Sequence, residues 1–138
     1  MNGQNATSAY ASTQAHSAVF DASPHKLISL LFSGAQTHLS QAKRAMLSND
    51  IAARGRSITK AIDIVNNLQA CLDQDKGGQV ASNLDSLYDY MIRRLAQANV
   101  SNDAAMVDEV SGLIEEIKIG WDAIASGPMP DGFFSPHS

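Results

Sequence analysis

The stretch Asn83 to Asn99, NLDSLYDYMIRRLAQAN, constrains the chain more than any other. Val80, Leu84, Leu87, Met91, Leu95 and Ala98 recur at steps of three and four, a spacing that predicts one apolar stripe along an α-helix. Tyr88 and Ile92 widen the stripe on one side. Asp85, Asp89, Arg93 and Gln97 fall on the other, and Asp89 precedes Arg93 by the four residues of a favourable helical ion pair. The two tyrosines differ in position. Tyr88 lies beside the stripe, whereas Tyr90 falls nearer the polar face, as either an incidental exposed ring or a contact for a partner. A helix with one apolar stripe must bury it, so the rest of the chain has to supply the other walls of a core.

At 138 residues the chain is one domain with tails, and 44% hydrophobic residues suffice for a core. A net charge of −4 and a pI near 5.4 argue against nucleic acid as the main partner. The single cysteine, Cys71, sits in a helical pattern among apolar residues, which suggests a structural thiol in a reducing compartment. The first 25 residues carry no Lys or Arg and no long apolar run, which speaks against a signal peptide. No run reaches the length of a membrane span, and the expected location is the cytosol.

Residues 1–22 are rich in Ser, Thr, Asn, Gln and Ala, with Tyr10, Val19 and Phe20 as scattered apolar points. They read as a mobile segment that docks through a few anchors, with room for a short extra helix. Ser23-Pro24 is a helix start, a capping serine before a first-turn proline. The helix it opens, to about Leu47, is apolar on two faces. Leu27, Leu30, Leu31 and Gly34 make one; Ile28, Phe32, Ala35, Leu39, Ala42 and Met46 make the other. Such a helix is contacted on both, by the bundle alone or by the bundle and a partner. Gly34 inside it costs about 1 kcal/mol of helix propensity, which close packing of a neighbour would explain. After a turn at Ser48-Asn49-Asp50, a second helix is expected from Ile51 to Gln74, striped by Ile51, Ile58, Ile62, Val65, Leu68 and Leu72. Its first half carries Arg54, Arg56 and Lys60 as a basic patch. Asp75-Lys76-Gly77-Gly78 reads as its stop. Ser101 or Asn102 is the expected cap of a fourth helix, Asp103 to Ala125, with Val107, Val110, Ile114, Ile117, Trp121 and Ile124 inside and Glu109, Glu115, Glu116 and Lys118 in water. Residues 126–138 form a Pro- and Gly-rich tail whose one sticky feature is Phe133-Phe134. The fold class is all-α: an antiparallel up-down-up-down four-helix bundle over residues 23–125.

No catalytic, cofactor-binding or metal-binding set emerges. There is no Glu-x-x-His pair for a di-iron bundle, no second cysteine to support zinc and no phosphate-cradling glycine loop. His38, with Lys43 nearby, supports one alternative, a phosphotransfer bundle; a scaffold bundle with no particular client is another. The shortage of chemistry points to a binding protein.

Three blocks carry a resemblance to a known family. DASPHKLISLLFSGA (Asp21 to Ala35) joins the Ser-Pro start to an apolar helix and a Gly-Ala pair. LDQDKGGQVASNLDSLYDYMIRRLAQANVSND (Leu72 to Asp103) contains the Gly-Gly turn and the Leu-Tyr-Asp-Tyr-Met core. Glu109 to Trp121 carries a Glu-Val, Leu-Ile, Trp series, and Tyr10 matches an upstream tyrosine. Together they resemble the flagellin-specific export chaperones of the FliS family, with Phe32-Ser33-Gly34 standing where that family commonly has Tyr-Glu-Gly. The resemblance implies a cytosolic, non-enzymatic protein. It would bind the disordered C-terminal region of flagellin, prevent early polymerisation and assist delivery to the flagellar export gate, without nucleic acid, membrane insertion or cofactor. It also implies that the N-terminal segment is a removable cover over the client groove. The candidate client-binding residues are Tyr10, Ile28, Phe32, Leu39 and Tyr90.

Overall fold

The computed structural model of the chain describes residues 23–124. The N-terminal segment 1–22 with Tyr10, Ala125, and the tail 126–138 lie outside the described residues. Four helices make up the described chain: α1 (Pro24–Leu47), α2 (Ile51–Ala70), α3 (Gln74–Ser101) and α4 (Ala104–Asp122). Each packs against its neighbour in sequence, and α4 closes back onto α1. With connections of two or three residues, this gives the up-down-up-down bundle expected from the periodicity.

The helix starts follow local chemistry. Ser23 Oγ accepts from the Lys26 amide at 3.1 Å, ahead of Pro24 in the first turn. Asp50, Asp73 and Asp103 accept in the same way from Ala53, Lys76 and Ala105. The cap of α4 is therefore Asp103; Asn102, in the left-handed region at φ 52°, instead ends α3. Asn49, at φ 57°, turns the chain between α1 and α2.

The largest departure from expectation is the end of α2. It stops at Ala70, and Asp73 starts a new helix, so Asp75-Lys76-Gly77-Gly78 belongs to α3. Gly78 takes φ 51° and ψ −126° there, a backbone state open to glycine and strained for other residues. It separates a first turn from the long run of α3. The glycine pair does mark a break, but one inside an element.

The core comes from one stripe of each helix: Ile28, Phe32, Ala35, Leu39, Ala42 and Met46 from α1; Ile58, Ala61, Val65 and Leu68 from α2; Tyr88, Met91, Leu95 and Ala98 from α3; Val107, Val110, Ile114 and Trp121 from α4. In α3 the stripe is rotated from the expected one. Tyr88 is buried and Leu87 half-buried, while Val80 is 47% exposed. The buried row Ala81, Tyr88, Met91, Leu95, Ala98 steps by sevens, threes and fours, and it supersedes a row chosen on hydrophobicity, which ranks Val80 above Ala81. Ile51 is likewise 68% exposed at the start of α2 rather than core, and Ile62, Ile117 and Ile124 are half-buried. A Cβ added to Gly34 would stand 3.2 Å from Ile64 Cδ1, so this glycine accommodates a close α1–α2 approach. Cys71 is half-buried, and burial pushes its thiol above its ordinary value, which suits a structural thiol rather than a reactive one.

Candidate functional site

The two apolar faces of α1 have different fates. Ile28, Phe32 and Leu39, expected as candidate client contacts, are 2%, 0% and 1% exposed. In this closed bundle they are core positions that hold the surface up without forming it. Leu27, Leu30, Leu31 and Gly34 are half-buried.

Tyr90 belongs to a different arrangement. Val80, Leu87, Tyr90 and Arg94 are separated by seven, three and four residues, which places them on one side of α3. Met106, Glu109, Leu113 and Gly120, separated by three, four and seven, share one side of α4. The two rows meet at Glu109, which accepts from the Tyr90 hydroxyl on one oxygen and from Arg94 Nε at 2.7 Å on the other. With Tyr90 and Arg94 against Glu109, the antiparallel register puts Leu87 level with Leu113 and Val80 level with Gly120. The result is a seam between α3 and α4, polar at the Tyr90–Arg94–Glu109 clasp and apolar below it. Leu84, Leu87, Leu113 and Ile117 line it, half-exposed and packed on the core. Gly120 is exposed, and a Cβ added there would meet nothing within 4 Å, so a side chain at this position would project into open space.

The clasp has a definite electrostatic character. The Tyr90 hydroxyl, and then Arg94, hold the Glu109 carboxyl below its ordinary value. The same hydrogen bond raises the Tyr90 phenol, because deprotonation would set two anions side by side. The expectation that Glu109 simply faces water is therefore corrected. Asp89, expected to pair with Arg93, instead accepts from Gln69 Nε2 at 2.8 Å and ties α3 to α2. Lys118, also expected in water, pairs with Asp122 at 2.7 Å.

The basic patch of α2 divides. Arg54 donates to Asn99 and Asn102 at the end of α3. Arg56 points elsewhere, into a depression of about 390 Å³ shared with Arg44 and Lys60. Residues two apart on a helix do not share a face. His38 is half-buried, with Nδ1 3.2 Å from Gln41 Oε1. Among the described residues no group of three or more His, Cys, Asp or Glu could hold a metal ion, and no helix is long and apolar enough to cross a membrane.

The seam is missed by a sequence reading that asks only which residues form each stripe. Its signal is a second row beside the stripe, apolar at Val80, Leu87 and Leu113, with Tyr90, Arg94 and Glu109 at matching positions of successive helices.

Comparison with known proteins places this chain in a family. Residues 6–128 match the family described as Flagellar protein FliS. The flagellar secretion chaperone FliS of Salmonella typhimurium is 50% identical over 118 residues, which span 85% of this chain and 87% of the relative. The flagellar secretion chaperone FliSB of Pseudomonas aeruginosa is 46% identical over 91% of this chain and 99% of its own length. The Bacillus subtilis FliS is 30% identical over 72% of this chain and 74% of the relative. A match that begins before α1, runs through all four helices and recurs in relatives from several bacteria shows that the chain belongs to the flagellar protein FliS family.

Proposed function

We propose that the chain is a cytosolic export chaperone that binds the disordered C-terminal region of flagellin, prevents its premature polymerisation and assists its delivery to the flagellar export apparatus. The observation that carries this reading is the apolar α3–α4 seam edged by the Tyr90–Arg94–Glu109 clasp. An amphipathic segment that is disordered when free can fold into such a groove, setting apolar side chains on Leu87 and Leu113. Membership of a family whose relatives are named flagellar secretion chaperones supports an export substrate as the partner. The chain acts by burial and release rather than by chemistry. Ordering the client costs entropy, so binding has to cover a large apolar area and carries a negative heat-capacity change.

The test is calorimetric titration of a C-terminal flagellin fragment into the full chain. One-to-one binding with a heat-capacity decrease is expected. Gly120→Gln fills open space without touching the fold, and Val80→Asp charges an already exposed position. Each should weaken binding by about tenfold, roughly 1.4 kcal/mol. A fragment that binds both variants as tightly as the parent chain would place the client elsewhere.

A further inference from the structure

A second surface lies on α2, the helix diagonally opposite α4. Large exposed apolar side chains concentrate at the end of the bundle where α1 turns into α2 and α3 ends: Leu47 is 75% exposed, Ile51 68% and Val100 84%. From Ile51 the outer face of α2 continues through Ala52, Gly55 and Thr59 along a shallow depression of about 570 Å³, bordered by Arg56 and Lys60 and ended by Asp63. Ile51, Gly55 and Thr59 are four apart and form one row. Gly55 has no internal reason to be glycine. Its backbone does not require a positive φ, and a Cβ there would meet nothing within 4 Å. Alanine would favour the helix by about 1 kcal/mol, so what glycine provides is a flat stretch that another backbone can approach closely.

Charge identifies what approaches. The chain as a whole carries −4, yet Arg44, Arg56 and Lys60 gather around the adjoining α1–α2 depression. The carboxylate there, Asp50, already caps α2 through the Ala53 amide. Among the described residues neither Arg56 nor Lys60 lies within ion-pair distance of a carboxylate, and with Arg44 they outnumber the two carboxylates that line the adjoining depressions, Asp50 and Asp63. A row of small and apolar residues beside unmatched cations, on an otherwise acidic molecule, complements an acidic amphipathic helix.

We propose that the outer face of α2 from Ile51 to Lys60 is a docking site for an acidic amphipathic helix of a second protein partner, separate from the α3–α4 seam. The row from Ile51 to Lys60 is about 14 Å long at 1.5 Å per residue, enough for two to three turns of a partner helix. That helix sets its small apolar residues over Gly55 and its carboxylates against Arg56, Lys60 and Arg44.

The probe is a labelled synthetic helix of three to four turns with an Ala/Leu stripe flanked by glutamates, titrated into the full chain by fluorescence anisotropy. A lysine-flanked version and a shuffled acidic version serve as controls. The acidic helix should bind at least about tenfold tighter than either control, and raising the salt should weaken it, since the pairs are exposed. Gly55→Leu should abolish binding while leaving thermal stability equal or higher. Arg56→Glu with Lys60→Glu should reverse the preference towards the lysine-flanked helix. No binding by any peptide, equal binding of acidic and basic helices, or unchanged binding to Gly55→Leu would each overturn the proposal. So would loss of flagellin-fragment binding in Gly55→Leu, which would make this face part of the client path. Failure of the parent chain to bind the flagellin fragment bears on the chaperone reading alone.

Discussion

Met91 and Tyr90 are neighbours in sequence and about 100° apart on α3, so they take opposite parts in stability. Met91 is 0% exposed, and truncating it removes buried methylenes and leaves a cavity in a packed core. Met91→Ala should destabilise the bundle by about 2–5 kcal/mol. Tyr90→Phe keeps the ring and removes only the hydroxyl; Glu109 retains Arg94 and its access to water. The midpoint of urea unfolding should therefore fall far more for Met91→Ala than for Tyr90→Phe. The reverse ranking would mean that the helix is rotated from the register described. The helix glycines show the same contrast between inner and outer causes: Gly34 is explained by Ile64 at 3.2 Å, while Gly55 and Gly120 meet nothing within the fold.

At the scale of the element, what could be read from the sequence was whatever depends on nearby residues. Ser23-Pro24 and Asp50 mark true helix starts because a cap needs only the next three residues. The break at Gly78 was legible as a break, but its place inside α3 depends on Asp73 capping a new helix five residues earlier. The rotation that buries Tyr88 rather than Leu87 was not legible. Hydrophobicity favours leucine, and the choice is made by where α2 and α4 stand. The clasp was hidden for the same reason, since Glu109 looks like any exposed carboxylate until α4 is laid against α3. It does have a pH signature. Tyr90 and Arg94 hold the Glu109 carboxyl below its ordinary value, and Lys118 and then Ser29 do the same for Asp122. Unfolding returns both to the ordinary carboxylate range, near 4. A depressed native value means stability that is complete above that range and lost as pH falls through it towards the native values. The unfolding midpoint should therefore be flat from pH 7 to about 5 and decline below. Glu109→Gln should make the decline shallower. Curves that stay parallel for parent and variant would show that the clasp is not coupled to folding.

The molecule as a whole is held closed by contacts between the two ends of the bundle sequence. His25 stacks on Trp121 with centroids 4.8 Å apart and planes 8° from parallel. Trp121 Nε1 donates to the His25 carbonyl at 2.9 Å, and His25 Nε2 lies 2.7 Å from the Trp121 carbonyl. A carbonyl only accepts, so Nε2 carries the hydrogen. Ser29 adds a bond to Asp122 at 2.9 Å. These contacts join residues 96 and 93 apart in sequence, and they close α4 against α1. Loop-closure entropy grows only logarithmically with length, so a few well-made contacts suffice to hold so long a ring. Trp121 is the only tryptophan and is 1% exposed, so its fluorescence reports on this closure. If the ring is part of one cooperative unit, the denaturant transition seen by Trp121 fluorescence coincides with the loss of helical circular dichroism. Trp121→Ala should lower stability by about 3–5 kcal/mol, and His25→Ala by less, because the histidine is only half-buried. A fluorescence change that precedes the loss of helix would mean that the α1–α4 closure opens as a separate, weaker unit. The bundle could then admit a partner along that edge without unfolding.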